Sequence, residues 1–155
     1  SSAPARIINV ASEAHRGARL NIDDLQSTSG YSGWKAYQRS KLANILFTRE
    51  LARQLHGTGV TANCLHPGFV ATNFGNNNRG IWRFSIAVAK SVGAISVEHG
   101  AETPVYLASA SEIGGTTGKY FKKCRERNPD EPAQDFAAAA RLWQESKNLA
   151  GFKLP

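Results

Sequence analysis

Residues 5–11 (ARIINVA) make a nearly continuous apolar run rich in β-branched side chains, which predicts a strand buried on both faces of a parallel sheet. From 12 to 33 the pattern turns polar and rich in Gly, Asp and Ser, predicting a long loop with a short helical turn at 22–26. A loop of that length with little structure of its own is usually functional or covers something. Within residues 37–55, Leu42, Ile45, Leu46, Leu51 and Leu55 recur at helical spacing, and Gly57 and Gly59 end the helix. Residues 60–65 (VTANCL) read as a second strand. The order strand, loop, amphipathic helix, strand predicts an α/β fold with a parallel sheet.

After a turn at His66-Pro67-Gly68, an Asn-rich stretch at 73–80 leads into a helix predicted at 82–92. A further helix is predicted at 96–109, opened by Ser96 with Glu98 and Glu102 near its start. A last strand is predicted at 119–122, and a closing helix at 132–149 with Phe136, Ala140, Leu142 and Trp143 as its apolar contacts. Two or three strands are too little sheet for four or five helices, and the first strand has no neighbour in sequence on its amino-terminal side. The chain also contains 0 methionines, so a segment before residue 1 is expected.

At 155 residues, 41% hydrophobic and 20% charged, the chain is long enough for one domain with a sizeable core. The formal charge of +7 is spread over Arg39, Lys41, Arg49, Arg53 and a later group from Lys119 to Arg127, which predicts a solvated surface. The densest run, Lys122 to Arg127, includes Glu126 and has no aromatic residue between its charges, a poor platform for stacking bases, so no nucleic-acid partner is expected. Cys64 and Cys124 have no CxxC or Cys/His ligand spacing, which argues against a disulfide framework or a metal site and for a cytoplasmic compartment. No apolar run approaches the ~20 residues of a membrane span.

Tyr37 and Lys41 stand four apart on the predicted helix and share a face. An ammonium beside a phenol favours the phenolate, so such a pair suits proton transfer nearer neutral pH. Ser12 follows the first strand, beyond the carboxyl end where parallel sheets present ligand-binding groups, and its hydroxyl could donate to a carbonyl oxygen or simply cap a turn. Glu13 and His15 lie in the same loop and make no convincing hydrolase triad with Ser12, and no G-x-S-x-G elbow is present. His66-Pro67-Gly68 forms another carboxyl-end turn, followed by Val70 and Thr72. No role is assigned to His15, His56, His66 or His99. Trp34, Trp82 and Trp143 are read as packing groups, with Trp34 and Trp82 in variable segments where a hydrophobic substrate could lie.

Asn9-Val10-Ala11-Ser12, Tyr37-Gln38-Arg39-Ser40-Lys41 and His66-Pro67-Gly68 with Val70 and Thr72, in this order and spacing, resemble the second half of the short-chain dehydrogenase/reductase family. Ser40 to Phe47, the long interval from Ser12 to Tyr37 and the late Ala140-Arg141-Leu142-Trp143 are similar to its retinol-dehydrogenase-like branch. The resemblance implies the carboxyl-terminal half of a doubly wound parallel-sheet (Rossmann) fold. It implies Tyr37 as general acid/base that also binds the cofactor, Lys41 as its partner and a ligand of the nicotinamide ribose, and Ser12 as the group holding the substrate oxygen. Pro67, Gly68, Val70 and Thr72 would lie along the nicotinamide of NADP or NAD, with NADP favoured by the branch. Residues 73–92 match the variable substrate region, and Ile81, Trp82, Phe84 and Ile86 there suit an apolar aldehyde, ketone or alcohol.

The chain departs from the family pattern in two ways. Ala11 stands where many members have a second serine, and the glycine-rich dinucleotide fingerprint is absent, since residues 114–118 (GGTTG) precede a predicted strand instead of linking a strand to a helix. The resemblance therefore implies a missing amino-terminal half as partner, with homodimers or homotetramers and, in animal members, a membrane anchor before residue 1. Two other readings stand beside the carbonyl reductase: a protochlorophyllide-reductase-like double-bond reductase, and a non-catalytic remnant of the fold.

Overall fold

Strands β1 (Ala5–Val10) and β2 (Val60–His66) pair in parallel, Ala5 opposite Val60 and Val10 opposite Leu65. Strand β3 (Tyr120–Lys122) joins β2 in parallel and β4 (Arg125–Arg127) returns antiparallel, giving a four-stranded sheet in the order β1-β2-β3-β4. This computed structural model describes residues 3–68 and 96–151. Helix α1 (Gly33–Gln54) crosses over between β1 and β2, helix α2 (Val97–Ser109) precedes β3, and helix α3 (Phe136–Leu149) closes the described chain.

The apolar stripe read along α1 is its buried face: Leu42, Ile45 and Leu46 pack with Cys64 and Tyr120 of the sheet and with Ala139 and Leu142 of α3. The Phe47 and Trp143 rings stack at 5.1 Å between the two helices. On the opposite face Leu107 of α2 meets Leu65 and Phe121. Burying one leucine this fully is worth about 1.5–3 kcal/mol, so the stripe is a main source of cohesion between helix and sheet. With helices on both faces of a mainly parallel sheet, the fold is α/β of the doubly wound Rossmann type, as the resemblance implied. Ser96 and Asp135 cap α2 and α3 by accepting from the His99 and Ala138 amides.

Four details differ from the sequence reading. β1 is parallel but lies at the edge of the described sheet with β2 on one side only, so Ile7 and Val10 are 36% and 50% exposed instead of buried on both faces. The buried central strand is β2, where residues 62–65 are all inaccessible. The run from Lys122 to Arg127 is a hairpin, because a two-residue turn lets Arg125 pair with Lys122 and β4 fold back. The closing helix is interrupted at Asp135, with a 3-10 turn at Glu131–Gln134 before it, and α1 begins a turn early at Gly33. The helix predicted at 82–92 lies outside the described residues. No described helix is long and apolar enough to cross a membrane.

Candidate active site

Two side-chain bonds set α1 against β1. Asn9 donates its Nδ2 to Thr48 Oγ1 at 2.9 Å, and Asn44 donates its Nδ2 to the Val10 carbonyl at 3.0 Å. The helix therefore runs antiparallel to the strand, with Asn44 level with the strand's last residue. At a helical rise of about 1.5 Å per residue, Lys41 projects ~4.5 Å and Tyr37 ~10 Å beyond that level. Ser12, two residues on and still extended (φ −162°, ψ 154°), reaches ~7 Å beyond it at the ordinary strand rise. Along the helix axis, Ser12 thus falls between Lys41 and Tyr37, past the carboxyl end of the sheet.

Lys41 and Tyr37 meet directly: the ammonium lies 5.4 Å from the centre of the tyrosine ring. Burial of the Lys41 side chain pushes its pKa below the ordinary lysine value. Trp34, one turn earlier, has its ring 5.8 Å from that of Tyr37, so an indole borders the pair. Ser12 does cap a turn: its Oγ accepts from the Ala14 amide at 3.1 Å at the start of the 3-10 turn Glu13–His15. An accepting hydroxyl keeps its own proton available to donate, so capping and substrate binding are compatible.

Three residues that sequence reasoning passed over hold Ser12 in place. His15, fully buried, sets its Nδ1 2.6 Å from the Ser12 carbonyl oxygen, while its Nε2 accepts from the Asp130 amide at 3.2 Å. Those partners require the neutral ring protonated at Nδ1, and burial lowers its pKa accordingly, aided by the nearby Arg16. Glu13 donates its amide to His66 Nδ1 at 3.3 Å, which ties the ends of β1 and β2 together and requires that nitrogen to be bare. Burial, with Lys122 and His15 close by, brings His66 down to about 4.

The Glu13 carboxylate accepts from Tyr120 Oη at 2.7 Å, Lys122 Nζ at 3.0 Å and Arg16 Nε at 3.2 Å. Burial opposes its ionisation, but those three donors outweigh burial and hold it at about 2. The Ser12 loop is thereby bolted to both β2 and β3. The sequence signal for this was only that Glu13 and His15 adjoin Ser12, because the partners that fasten them to β2, β3 and residue 130 lie 53 to 115 residues away.

Pro67 and Gly68 follow the end of β2, and Gly68 has φ 94°, a left-handed conformation that suits glycine. Val70 and Thr72 lie outside the described residues, as do Ile81, Trp82, Phe84 and Ile86. The GGTTG stretch leads into β3, with the Gly118 amide donating to the Ala62 carbonyl at 2.7 Å. Ser12, Pro67 and Gly68 thus follow the carboxyl ends of the neighbouring strands β1 and β2, and α1 carries Lys41 and Tyr37 past the same end.

A family model described as short chain dehydrogenase matches residues 2–80. Human retinol dehydrogenase 14 is 44% identical over 97% of this chain and 46% of its own length. Human retinol dehydrogenase 13 is 42% identical over 99% of this chain and 48% of its own. The chain therefore spans about half the length of the curated relatives it matches. A solved structure of an uncharacterised protein from Mycobacterium paratuberculosis superposes with a TM-score of 0.72 at 29% identity, covering 97% of this chain and 52% of that one.

Proposed function

The chain belongs to the short-chain dehydrogenase family, and from that membership we propose that it carries the catalytic half of a nicotinamide-dependent oxidoreductase acting on an apolar, retinoid-like carbonyl or alcohol. The observation that carries this reading is the grouping of Ser12 with the contacting Tyr37 and Lys41 beyond the carboxyl end of the parallel strands. The Trp34 ring packed beside Tyr37 favours an apolar substrate.

The described residues fit the nicotinamide and ribose part of NADP or NAD. Lys41 offers a partly desolvated ammonium to ribose hydroxyls, and Gly68 has no Cβ to block a ligand from the backbone. The family resemblance adds Pro67, Val70 and Thr72 to the residues proposed to bind the nicotinamide. NADP is the cofactor proposed, in keeping with the retinol-dehydrogenase-like branch. When bound, the nicotinamide supplies or receives the hydride. The Tyr37 phenol gives its proton to the substrate oxygen during reduction and recovers it during oxidation. Lys41 stabilises the negative charge left on that phenol, and the Ser12 hydroxyl donates to the developing oxyanion.

The test is nicotinamide consumption by the full-length protein with retinal and a panel of aldehydes and ketones, using NADPH and NADH. Turnover of apolar carbonyls with a preference for NADPH is expected. Measurable cofactor binding with no carbonyl turned over would refute the carbonyl reductase.

A further inference from the structure

A cleft of about 330 Å³ opens beside the Ser12 loop, lined by Glu13, Arg16, Lys122, Lys123, Arg127 and Asn128. Four of its six lining residues are cationic. Glu13 and Asp130 engage only two of them: Lys122 lies 3.0 Å and Arg16 3.2 Å from Glu13, and Arg16 lies 2.7 Å from Asp130. Among the described residues, Lys123 and Arg127 have no acidic partner within an ion-pair distance, so two positive charges face the cleft uncompensated. The concavity sits at the lower end of the range of small-ligand sites, roughly 300–1,000 Å³, which admits a phosphate with a modest organic group attached.

The hairpin explains why these charges converge. Tyr120 pairs with Arg127 and Lys122 with Arg125, so Tyr120, Lys122 and Arg127 share the face of the hairpin that Glu13 contacts. Lys123 is presented by the turn between β3 and β4, whose two central residues, Lys123 and Cys124, have φ of 52° and 55°. Such a turn favours Asn and Gly, and a lysine there is conformationally costly. The Cys124 amide donates to the buried Thr103 Oγ1 at 3.2 Å, which clamps the turn against α2 and keeps the lysine at the rim.

We propose that this cleft is a binding site for a phosphate group of a small organic ligand, separate from the nicotinamide site. The Arg127 guanidinium, the Lys123 ammonium and the Asn128 amide match a tetrahedral dianion with several acceptor oxygens, while the Arg16 fork is taken up by Glu13, Asp130 and the Asn128 carbonyl. Glu13 keeps Arg16 and Lys122 in place and leaves Lys123 and Arg127 to take the ligand's charge.

The test uses the full-length protein, titrated calorimetrically with inorganic phosphate and with glycerol 3-phosphate, with and without saturating NADP. Saturable binding that is indifferent to NADP and weakens as salt rises is expected. Lys123→Asn combined with Arg127→Gln should weaken it at least tenfold, and Lys123→Asn, which relaxes the turn, should not lower the melting temperature. Phosphatidylcholine vesicles with and without phosphatidic acid separate the sources of the phosphate. Capture by the acidic vesicles that the double variant loses would assign the site to a lipid headgroup, whereas binding of the soluble esters alone assigns it to a metabolite. No saturable phosphate binding, binding unchanged in a folded double variant, or competition with NADP would each overturn the proposal.

Discussion

Replacing Glu13 with glutamine removes one charge while keeping the shape of the side chain, and the structure fixes what that should cost. In the parent the carboxylate accepts from Tyr120, Lys122 and Arg16, and its pKa falls from 4.5 to about 2 because those donors outweigh burial. At ~1.36 kcal/mol per unit, the shift sets a ceiling of about 3.4 kcal/mol on the stability it contributes. The side chain is 26% exposed, so solvent screening brings the expected cost to about 2 kcal/mol. Glutamine can still accept from Tyr120, but its amide would present a donor to Lys122 or Arg16. A carboxylate with a depressed pKa contributes fully above pH 4.5, and the contribution is lost as pH falls toward 2. Urea unfolding of the full-length protein should therefore show Glu13→Gln less stable by about 2 kcal/mol at pH 7, with the gap closing below pH 4.5. A gap under about 0.5 kcal/mol at neutral pH, or one that stays constant through acid, would refute the view that Glu13 bolts the Ser12 loop to the sheet.

His66 should make stability fall at higher pH than Glu13 does: its pKa is depressed to about 4, so its contribution is complete above 6.5 and is lost as pH drops toward 4. After discounting for its partial exposure this is about 1–2 kcal/mol, and its loss should be visible in thermal melts across that window and absent in His66→Asn. Leu46→Ala, at a site with 0% exposure, should cost about 2–5 kcal/mol in denaturant melts, whereas a cost below 1 kcal/mol would mean that α1 is not packed as described. Thiol alkylation of the native protein should label Cys124 first, since burial raises the Cys64 thiol to about 12, and mass spectrometry of the digest will show which cysteine reacts. Lys41→Met should lower turnover by roughly 10²-fold or more with little change in the melting temperature; unaltered turnover would exclude Lys41 from the chemistry.

The parts of the fold governed by periodicity were legible in the chain. The helical stripe of Leu42, Ile45 and Leu46 and the apolar runs at residues 5–11 and 60–65 predict α1, β1 and β2 within a few residues. Hairpin β3-β4 was not legible, because its turn residues are Lys123 and Cys124 and a lysine-rich run reads as solvated surface. Spacing alone brings Tyr37 and Lys41 together, because one helix sets their geometry. The supports of Ser12 needed the tertiary structure: His15 meets residue 130, and Glu13 meets residues 66, 120 and 122.

The central claim is that Tyr37 moves the proton while Ser12 and Lys41 manage charge around it. The most direct measurement is transfer of deuterium from nicotinamide labelled at its reactive carbon to retinal in the full-length protein, comparing the parent with Tyr37→Phe and measuring cofactor affinity in both. The account predicts labelled alcohol from the parent and a loss of roughly 10²–10⁴-fold in the variant, with cofactor affinity nearly unchanged. Equal label transfer by parent and variant would contradict it.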